Sequence, residues 1–182
     1  EASRRAYIGQ LGARLGEVSA TLMGAGAPSF AVSYASPGLP RDGSVDSETT
    51  LSAALQGLLE RNRERDRREG NTTVGPHRGD LAITLGGRPL AAYGSEGECR
   101  LASLALRLAA LALARQGAED ARPVVALVDD VTGELDPRRR RAFFQALTPA
   151  DQILVTATAQ PDELSGLVDA AYAVQDGVLS PL

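Results

Sequence analysis

One short segment limits the possible folds more than any other: Val124 to Val128 are five consecutive apolar residues, followed directly by Asp129 and Asp130. A run without polar alternation is typical of a strand that is buried on both faces of a parallel sheet. Helical patterns flank this run, and strands that alternate with helices indicate an α/β layer. The pattern therefore predicts an α/β fold with two carboxylates at the carboxyl end of a buried strand, where open sheets of this class bind ligands.

Two neighbouring carboxylates can divide the chemistry of hydrolysis between them. One can hold Mg²⁺, usually through water, while the other accepts a proton from the attacking water. Taken by itself, the segment is more simply explained as a buried strand that runs into an acidic turn. The function therefore depends on what else the chain carries.

The 182 residues divide into two predicted parts. Residues 1–72 are predicted to form a mainly helical, lid-like arm, and residues 73–182 carry the alternating strands and helices. Gly86-Gly87 and Asp176-Gly177 are hairpin signals. Helices are predicted at 1–23, 47–69, 95–115, 137–147 and 161–167, and strands at 30–34, 80–85, 88–92, 124–129 and 152–156, with a closing hairpin at 171–179.

The second helix of the arm ends in a strongly polar segment with five arginines among acidic residues. A solvated helix face with mixed charges is the simpler interpretation. The same arginines are nevertheless the best candidates for contacts with DNA phosphates in this part of the chain. The candidate DNA-binding residues are Arg61, Arg63, Arg65, Arg67 and Arg68.

Ser95 and Glu98 have the spacing of a capping box, in which a serine begins a helix and a glutamate three residues later returns a hydrogen bond. The free amides and the dipole of such a helix end attract an anion such as a terminal phosphate. A well-capped core helix is the structural alternative. Gly97 in the first turn is costly for a helix, by up to about 1 kcal/mol relative to alanine, and leaves room for a phosphate or another backbone.

All nineteen basic residues are arginine, so no lysine is available for a phosphate-binding P-loop. The only methionine is Met23, and we expect the chain to be the back part of a longer protein. If the protein binds a nucleotide, this chain supplies only part of the site. We do not expect the chain to be active as an ATPase by itself.

Ser-x-Gly-Glu-x-Arg at 95–100, the apolar run into Asp129-Asp130, and Gly133-Glu134-Leu135-Asp136 follow one another in the order of the signature helix, Walker B strand and D-loop of an ABC-type ATPase. Together with Gly75-Pro76-His77-Arg78-Gly79-Asp80-Leu81, they resemble the RecF recombination-repair family. The resemblance implies the C-terminal lobe of an ABC-type P-loop NTPase with a mainly helical arm, the P-loop half being absent from this chain.

The resemblance also implies that two subunits hold ATP and Mg²⁺ between them. Asp129 would be the magnesium ligand and Asp130 the catalytic residue that polarises water, at a position where most relatives carry the longer glutamate. Slow hydrolysis is therefore expected. Ser95, Gly97, Arg100 and Asp136 would contact the nucleotide. Two departures from the pattern stand out: Thr156-Ala157-Thr158 occupies the place of the transporter-type switch histidine, and Gly79 stands where another aspartate is expected.

At the level of the whole protein, the resemblance implies DNA repair and replication, with a part in the SOS response. The protein would dimerise on ATP and help to place a recombinase at gapped or junction DNA, together with other recombination-mediator proteins. An SMC-like chromosome-organising head and a non-hydrolysing ABC-like binding module are the alternatives. Intact Asp129 and Ser95 speak against the second of these.

Charge and cysteine content refine this expectation. A net charge of −4 and a pI near 5.1 argue against a uniformly basic DNA-binding surface, so DNA would bind a local face that forms when two subunits join. The single cysteine, Cys99, cannot form an internal disulfide, and neither a signal peptide nor an apolar span of about 20 residues is present. A cytoplasmic protein without membrane contact is therefore expected.

Overall fold

The chain divides into two units in the computed structural model, Glu1–Glu119 and Asp120–Leu182. The structure describes residues 1–40, 47–116, 123–130, 135–159, 162–164 and 166–182. The helices are α1 (Ala2–Met23), α2 (Glu48–Glu69), α3 (Leu90–Tyr93), α4 (Glu96–Gln116) and α5 (Pro137–Ala146). The strands are β1 (Phe30–Ala35), β2 (Asp80–Leu85), β3 (Arg88–Pro89), β4 (Val125–Asp129), β5 (Gln152–Thr156), β6 (Tyr172–Gln175) and β7 (Val178–Pro181).

Helices α1 and α4 pack against each other and form the core of the first unit. The buried residues of each helix recur every three or four positions, which is the period of one helix face. Each fully buried leucine stabilises the fold by about 1.5–3 kcal/mol relative to an exposed one. The buried face of α1 comprises Ile8, Leu11, Leu15, Ser19 and Leu22, and that of α4 comprises Leu101, Ala102, Ala105, Leu108 and Ala109.

The antiparallel sheet β1-β2-β3 lies in the same unit and joins residues from both sides of the predicted boundary at 72 and 73. Phe30 pairs with Leu85, and Ala35 pairs with Asp80. The predicted division into an arm and a head lobe stays a prediction about the whole protein. The strand predicted at 88–92 is wrong beyond Pro89, because α3 begins at Leu90 and its first turn closes with a hydrogen bond from the Gly94 amide to the Leu90 carbonyl.

Gly79 lies against the aromatic ring of Tyr34. A Cβ at this position would overlap the tyrosine hydroxyl. That hydroxyl accepts a hydrogen bond of 3.2 Å from Arg4, which also donates to the Pro76 carbonyl at 2.6 Å. The aspartate expected at position 79 would fit only if the Tyr34 ring moved, so glycine at this position leaves that ring and its hydrogen bond in place.

Gly79→Ala is therefore expected to lower the free energy of unfolding by about 1 kcal/mol, since Tyr34 must move away from Arg4.

Gly9→Ala is the control, and it should change the free energy of unfolding in the opposite direction. A Cβ at Gly9 in α1 would meet no atom within 4 Å, so alanine should stabilise the helix by about 0.5–1 kcal/mol. Urea unfolding measures both changes, and an unchanged midpoint for Gly79→Ala would contradict the packing argument.

The second unit contains the parallel pair β4-β5, in which Val125 pairs with Gln152 and Asp129 with Thr156. The parallel direction confirms the prediction, but the predicted burial on both faces is wrong for the described residues. Leu127 is 75% exposed, and Val128 is the one buried residue of the strand. The reason is that this sheet has two strands in the described part of the second unit, and these residues cover its faces only in part.

Helix α5 begins at the residues that follow the predicted D-loop. The Asp136 carboxylate accepts a hydrogen bond of 2.9 Å from the Arg139 amide and so caps the helix. Arg140 forms an ion pair of 2.8 Å with Glu163, a carboxylate of the 3₁₀ turn at 162–164 whose side chain is only 5% exposed. The predicted helix at 161–167 is present as this shorter turn, and Pro161 and Ser165 lie outside the described residues.

The remaining elements are consistent with the sequence pattern. Strands β6 and β7 form the closing antiparallel hairpin, with Asp176 and Gly177 between them at positive φ. None of the helices in the described ranges has the combination of length and apolar character that crossing a bilayer requires.

Candidate functional site

The first turn of α4 shows the capping box that the sequence predicted. The Ser95 hydroxyl accepts a hydrogen bond from the Glu98 amide at 3.3 Å, and the Glu98 carboxylate accepts from the Ser95 amide at 2.7 Å and the Ser95 hydroxyl at 2.8 Å. These two donors, first the amide and then the hydroxyl, hold the pKa of Glu98 below its usual value. The helix start is therefore ordered before any ligand arrives, and its remaining amides face an exposed surface.

Gly97 and Arg100 share this turn with Ser95. A Cβ at Gly97 would meet no atom within 4 Å in the described part of the chain, so packing inside this chain does not require a glycine. Space at this point is what an approaching phosphate or a second backbone needs. Arg100 is exposed and forms an ion pair of 2.5 Å with Glu96, one turn back on the same helix.

The two aspartates stand at the end of β4, as predicted. One Asp129 carboxylate oxygen accepts a hydrogen bond of 2.5 Å from the Thr156 hydroxyl. The Asp130 amide donates to the Thr156 carbonyl at 3.2 Å, and Asp130 has a φ of 46°, which a non-glycine residue rarely adopts. Both side chains are exposed at the edge of the sheet, where a ligand can reach them.

Asp129 provides the charged oxygen that Mg²⁺ prefers. The described residues contain no group of three or more acidic, histidine or cysteine side chains arranged for a metal. The residues fit a magnesium ion only in the way that nucleotide-dependent enzymes hold it, with one or two carboxylates and the remaining ligands from phosphates and water. In such a site the ion would neutralise phosphate charge.

The other predicted site residues are distributed over both units. Asp136 uses one carboxylate oxygen to cap α5 and places the other 3.4 Å from the Arg139 Nε. Gly133 and Glu134 of the predicted D-loop lie outside the described residues. The structure thus places Ser95, Gly97 and Arg100 on one helical turn of the first unit, and the aspartates at 129, 130 and 136 in the second.

The five candidate DNA-binding arginines are all exposed on α2, as expected for a solvated helix. Arg65 pairs with Glu69 at 2.7 Å and Arg67 with Glu64 at 3.3 Å, in exposed pairs that contribute little to stability. Arg63 and Arg67 line an open groove of about 680 Å³ at the end of the helix, together with the carboxylates of Glu60 and Asp66 and the polar residues Asn71 and Thr72. Arg63 and Arg67 therefore differ from Arg61, Arg65 and Arg68, which do not line the groove.

Sequence reasoning missed the contacts of Thr156. The sequence marked this residue only as part of the place where a switch histidine is absent, yet it contacts both aspartates. The parallel arrangement offered a signal, because neighbouring parallel strands that end at the same edge bring their last residues together.

Comparisons with known proteins agree with the sequence motifs. The DNA replication and repair protein RecF of Anaeromyxobacter dehalogenans (strain 2CP-C) is 37% identical over 182 residues, covering 98% of this chain and 48% of that protein. No family model matches the chain. The chain spans about half the length of the curated relatives it matches.

Solved structures show the same relation at the level of the fold. A structure described as "the recombination mediator protein RecF-ATPrS in RecFOR pathway" matches with a TM-score of 0.74 and 25% identity, over 100% of this chain and 46% of that chain. A structure from work on "ATP-driven dimerization and DNA stimulated activation of SMC ATPases" matches with a TM-score of 0.54 and 14% identity, over 99% of this chain and 86% of that chain. The second match shows a shared fold.

Proposed function

The chain belongs to the RecF family, and from this we propose that it is the C-terminal half of a cytoplasmic, ATP-dependent DNA-binding protein of recombinational repair and replication. The full-length protein dimerises on ATP, hydrolyses it slowly, and assists recombinase loading at gapped or junction DNA with other mediator proteins. Its repair role extends to the SOS response. The exposed apolar faces of β4 and β5 support this proposal, because the rest of the longer chain can cover them and supply the P-loop.

The observation that carries the proposal is that one RecF-like fold contains both a capped helix start and a strand end with two aspartates. A capped helix start presents Ser95 and Gly97, and a strand end presents Asp129 and Asp130. In our proposal the helix start of one subunit binds the terminal phosphate of the ATP held by the other subunit. Helix amides and their dipole favour that negative charge.

The two aspartates have different proposed roles. Asp129, whose carboxylate is held by Thr156, is the ligand for Mg²⁺ on the nucleotide. Asp130 orients the attacking water and accepts its proton. Its side chain is one methylene shorter than the glutamate of most related ATPases, so its reach toward the water is shorter and turnover is slow. ATP then acts mainly as a clamp that holds the dimer together.

DNA binding is proposed at a local surface that carries arginines, since the chain as a whole is acidic. The groove beside Arg63 and Arg67 offers these two guanidinium groups and the polar side chains of Asn71 and Thr72, and it is also lined by the carboxylates of Glu60 and Asp66. The Asp66 carboxylate accepts hydrogen bonds from the amide and hydroxyl of Thr73, so the proposed phosphate contacts fall to the two arginines. Guanidinium groups neutralise phosphates and release counterions, which makes the affinity for DNA fall as salt rises. Contacts of this kind bind the DNA backbone without reading its sequence.

The experiment measures binding of the full-length protein to a gapped duplex by fluorescence anisotropy, with and without ATP, between 50 and 200 mM salt. We expect ATP to tighten binding and salt to weaken it, by about 10²- to 10³-fold for roughly five phosphate contacts. The double variant Arg63→Gln/Arg67→Gln should bind more weakly to all sequences and lower the salt slope by about two.

Arg14→Gln is the matched control, because Arg14 is an arginine on α1 that pairs with Glu17 at 2.7 Å and is not part of the groove. It should leave both affinity and salt slope unchanged. ATP-independent binding of the wild-type protein would argue against the clamp. If Arg63→Gln/Arg67→Gln and Arg14→Gln changed the DNA affinity and the salt slope equally, the groove would not be the DNA contact.

A further inference from the structure

Thr156 contacts both aspartates of the proposed site, through two different groups. Its hydroxyl donates a hydrogen bond of 2.5 Å to one Asp129 carboxylate oxygen. Its main-chain carbonyl accepts a hydrogen bond of 3.2 Å from the Asp130 amide. One residue at the end of β5 thus restrains the side chain of the first aspartate and the backbone of the second.

The parallel register explains how one residue reaches both. Asp129 and Thr156 are opposite each other in the last pair of β4 and β5, so the threonine side chain stands beside the aspartate carboxylate. The chain then turns at Asp130, whose φ of 46° departs from strand geometry. The hydrogen bond to the Thr156 carbonyl holds the amide of this turn in place.

The hydrogen bond from Thr156 makes the two oxygens of the Asp129 carboxylate different from each other. One is engaged by the threonine hydroxyl, and the other makes no hydrogen bond within the part of the chain that the structure describes. A carboxylate that is held through one oxygen presents the other in a constant direction. Because the threonine hydroxyl is neutral and donates its hydrogen bond, it leaves the negative charge of the aspartate in place for a cation.

We propose that Thr156 is a positioning residue for this site, whose hydroxyl orients Asp129 toward the magnesium ion of the nucleotide, next to the turn that carries Asp130. The inference rests on the proposed function. Position 156 would then have a role in the site although the switch histidine of transporter-type relatives is absent there. A threonine cannot take up a proton at neutral pH, so its contribution is orientation. Residues that orient a metal ligand typically change metal affinity or activity by 10- to 100-fold.

The experiment compares Thr156→Val with Thr156→Ser in the full-length protein. Valine keeps the branched shape and suits a strand but lacks the hydroxyl, whereas serine keeps the hydroxyl. A fluorescent, non-hydrolysable ATP analogue is bound at increasing Mg²⁺ concentrations. We expect Thr156→Val to raise the half-saturating Mg²⁺ concentration about 10-fold, and Thr156→Ser to stay within about twofold of the wild type.

Two further measurements separate positioning from a structural role. Thr158→Val makes the same exchange at an exposed residue two positions later and should leave the Mg²⁺ dependence unchanged. Thermal unfolding without nucleotide should give the same midpoint for Thr156→Val and Thr156→Ser. If Thr156→Val does not fold, Thr156→Ala is titrated in its place. A lower midpoint for the valine variant with an unchanged Mg²⁺ dependence would overturn the proposal.

Asp129→Asn distinguishes this inference from the proposed function on which it rests. If Asp129→Asn leaves the Mg²⁺ dependence unchanged, the metal assignment itself is wrong. If Asp129→Asn raises the Mg²⁺ requirement and Thr156→Val does not, the metal assignment holds and the positioning role is refuted. In the double variant we expect Thr156→Val to add less than twofold to the effect of Asp129→Asn, because the hydroxyl acts through that carboxylate.

Discussion

Asp130→Asn is expected to slow ATP turnover of the full-length protein by about 10²- to 10⁴-fold while leaving ATP binding intact. Asparagine can still hydrogen-bond the attacking water but cannot accept its proton. Asn also tolerates the positive φ of this position, so the backbone turn should persist. The ATP-bound dimer should consequently stay on DNA longer than the wild-type dimer does.

Asp129→Asn should behave differently, because the cation loses a charged oxygen ligand. We expect weaker Mg²⁺-ATP binding in this variant, with turnover recovering in part as Mg²⁺ is raised. ATP turnover and DNA retention are measured in parallel on both variants. Equal loss of ATP binding in the two would make Asp130 a second metal ligand, and wild-type turnover in Asp130→Asn would remove it from the mechanism.

Asp176→Asn is the matched control for this pair. Asp176 has a φ of 48°, close to that of Asp130, and is exposed in the turn between β6 and β7. The substitution therefore removes the same charge from a residue with a similar positive φ, at a position that we do not assign to the site. Turnover, ATP binding and DNA retention should all remain at the wild-type level.

Ser95→Arg is expected to abolish ATP-driven dimerisation and hydrolysis while monomeric ATP binding persists. A long, charged side chain at the residue that caps the helix would occupy the surface that meets the partner's phosphate. Loss of the cap also costs about 0.5–2 kcal/mol of stability. Size-exclusion chromatography with ATP measures the dimer, and thermal unfolding shows whether the variant is folded.

Two companion variants separate the cap from the interface. Ser95→Ala removes the cap without adding bulk, so its effect on the dimer shows what the hydroxyl contributes. Ser103→Arg places the same side chain at an exposed position further along α4, and it should dimerise normally. A normal ATP-dependent dimer in Ser95→Arg would mean that Ser95 only caps the helix.

Local patterns were predictable wherever the interacting residues are close in the chain. The Ser95–Glu98 capping box depends on residues three positions apart, and the structure shows it with hydrogen bonds in both directions. The helix at 47–69 was predicted from its apolar period, and it begins one residue later because Ser47 caps it. The two-residue strand β3 was predicted too long, since the turn of α3 competes for the same residues.

Burial was less predictable than the secondary structure itself. The run from Val124 to Val128 does form a strand beside a parallel partner, but Leu127 is largely exposed in this chain. An apolar run indicates that both faces of a strand need to be covered by other residues. In a longer protein, the elements that cover them can come from segments outside this chain. The candidate site residues likewise do not belong to one local segment, since Ser95 lies in the first unit and Asp129 in the second.

The sequence by itself determined the order of the motifs, the helix start at Ser95, the aspartates at the end of a strand, the absence of lysine and the resemblance to the RecF family. All of these depend on neighbouring residues or on composition. The tertiary structure alone decided that Thr156 holds Asp129, that Arg140 pairs with a buried Glu163, and that the Tyr34 ring occupies the space of a Cβ at Gly79. Those contacts join residues 23 to 45 positions apart, and they depend on strand register and helix packing, which no local pattern specifies.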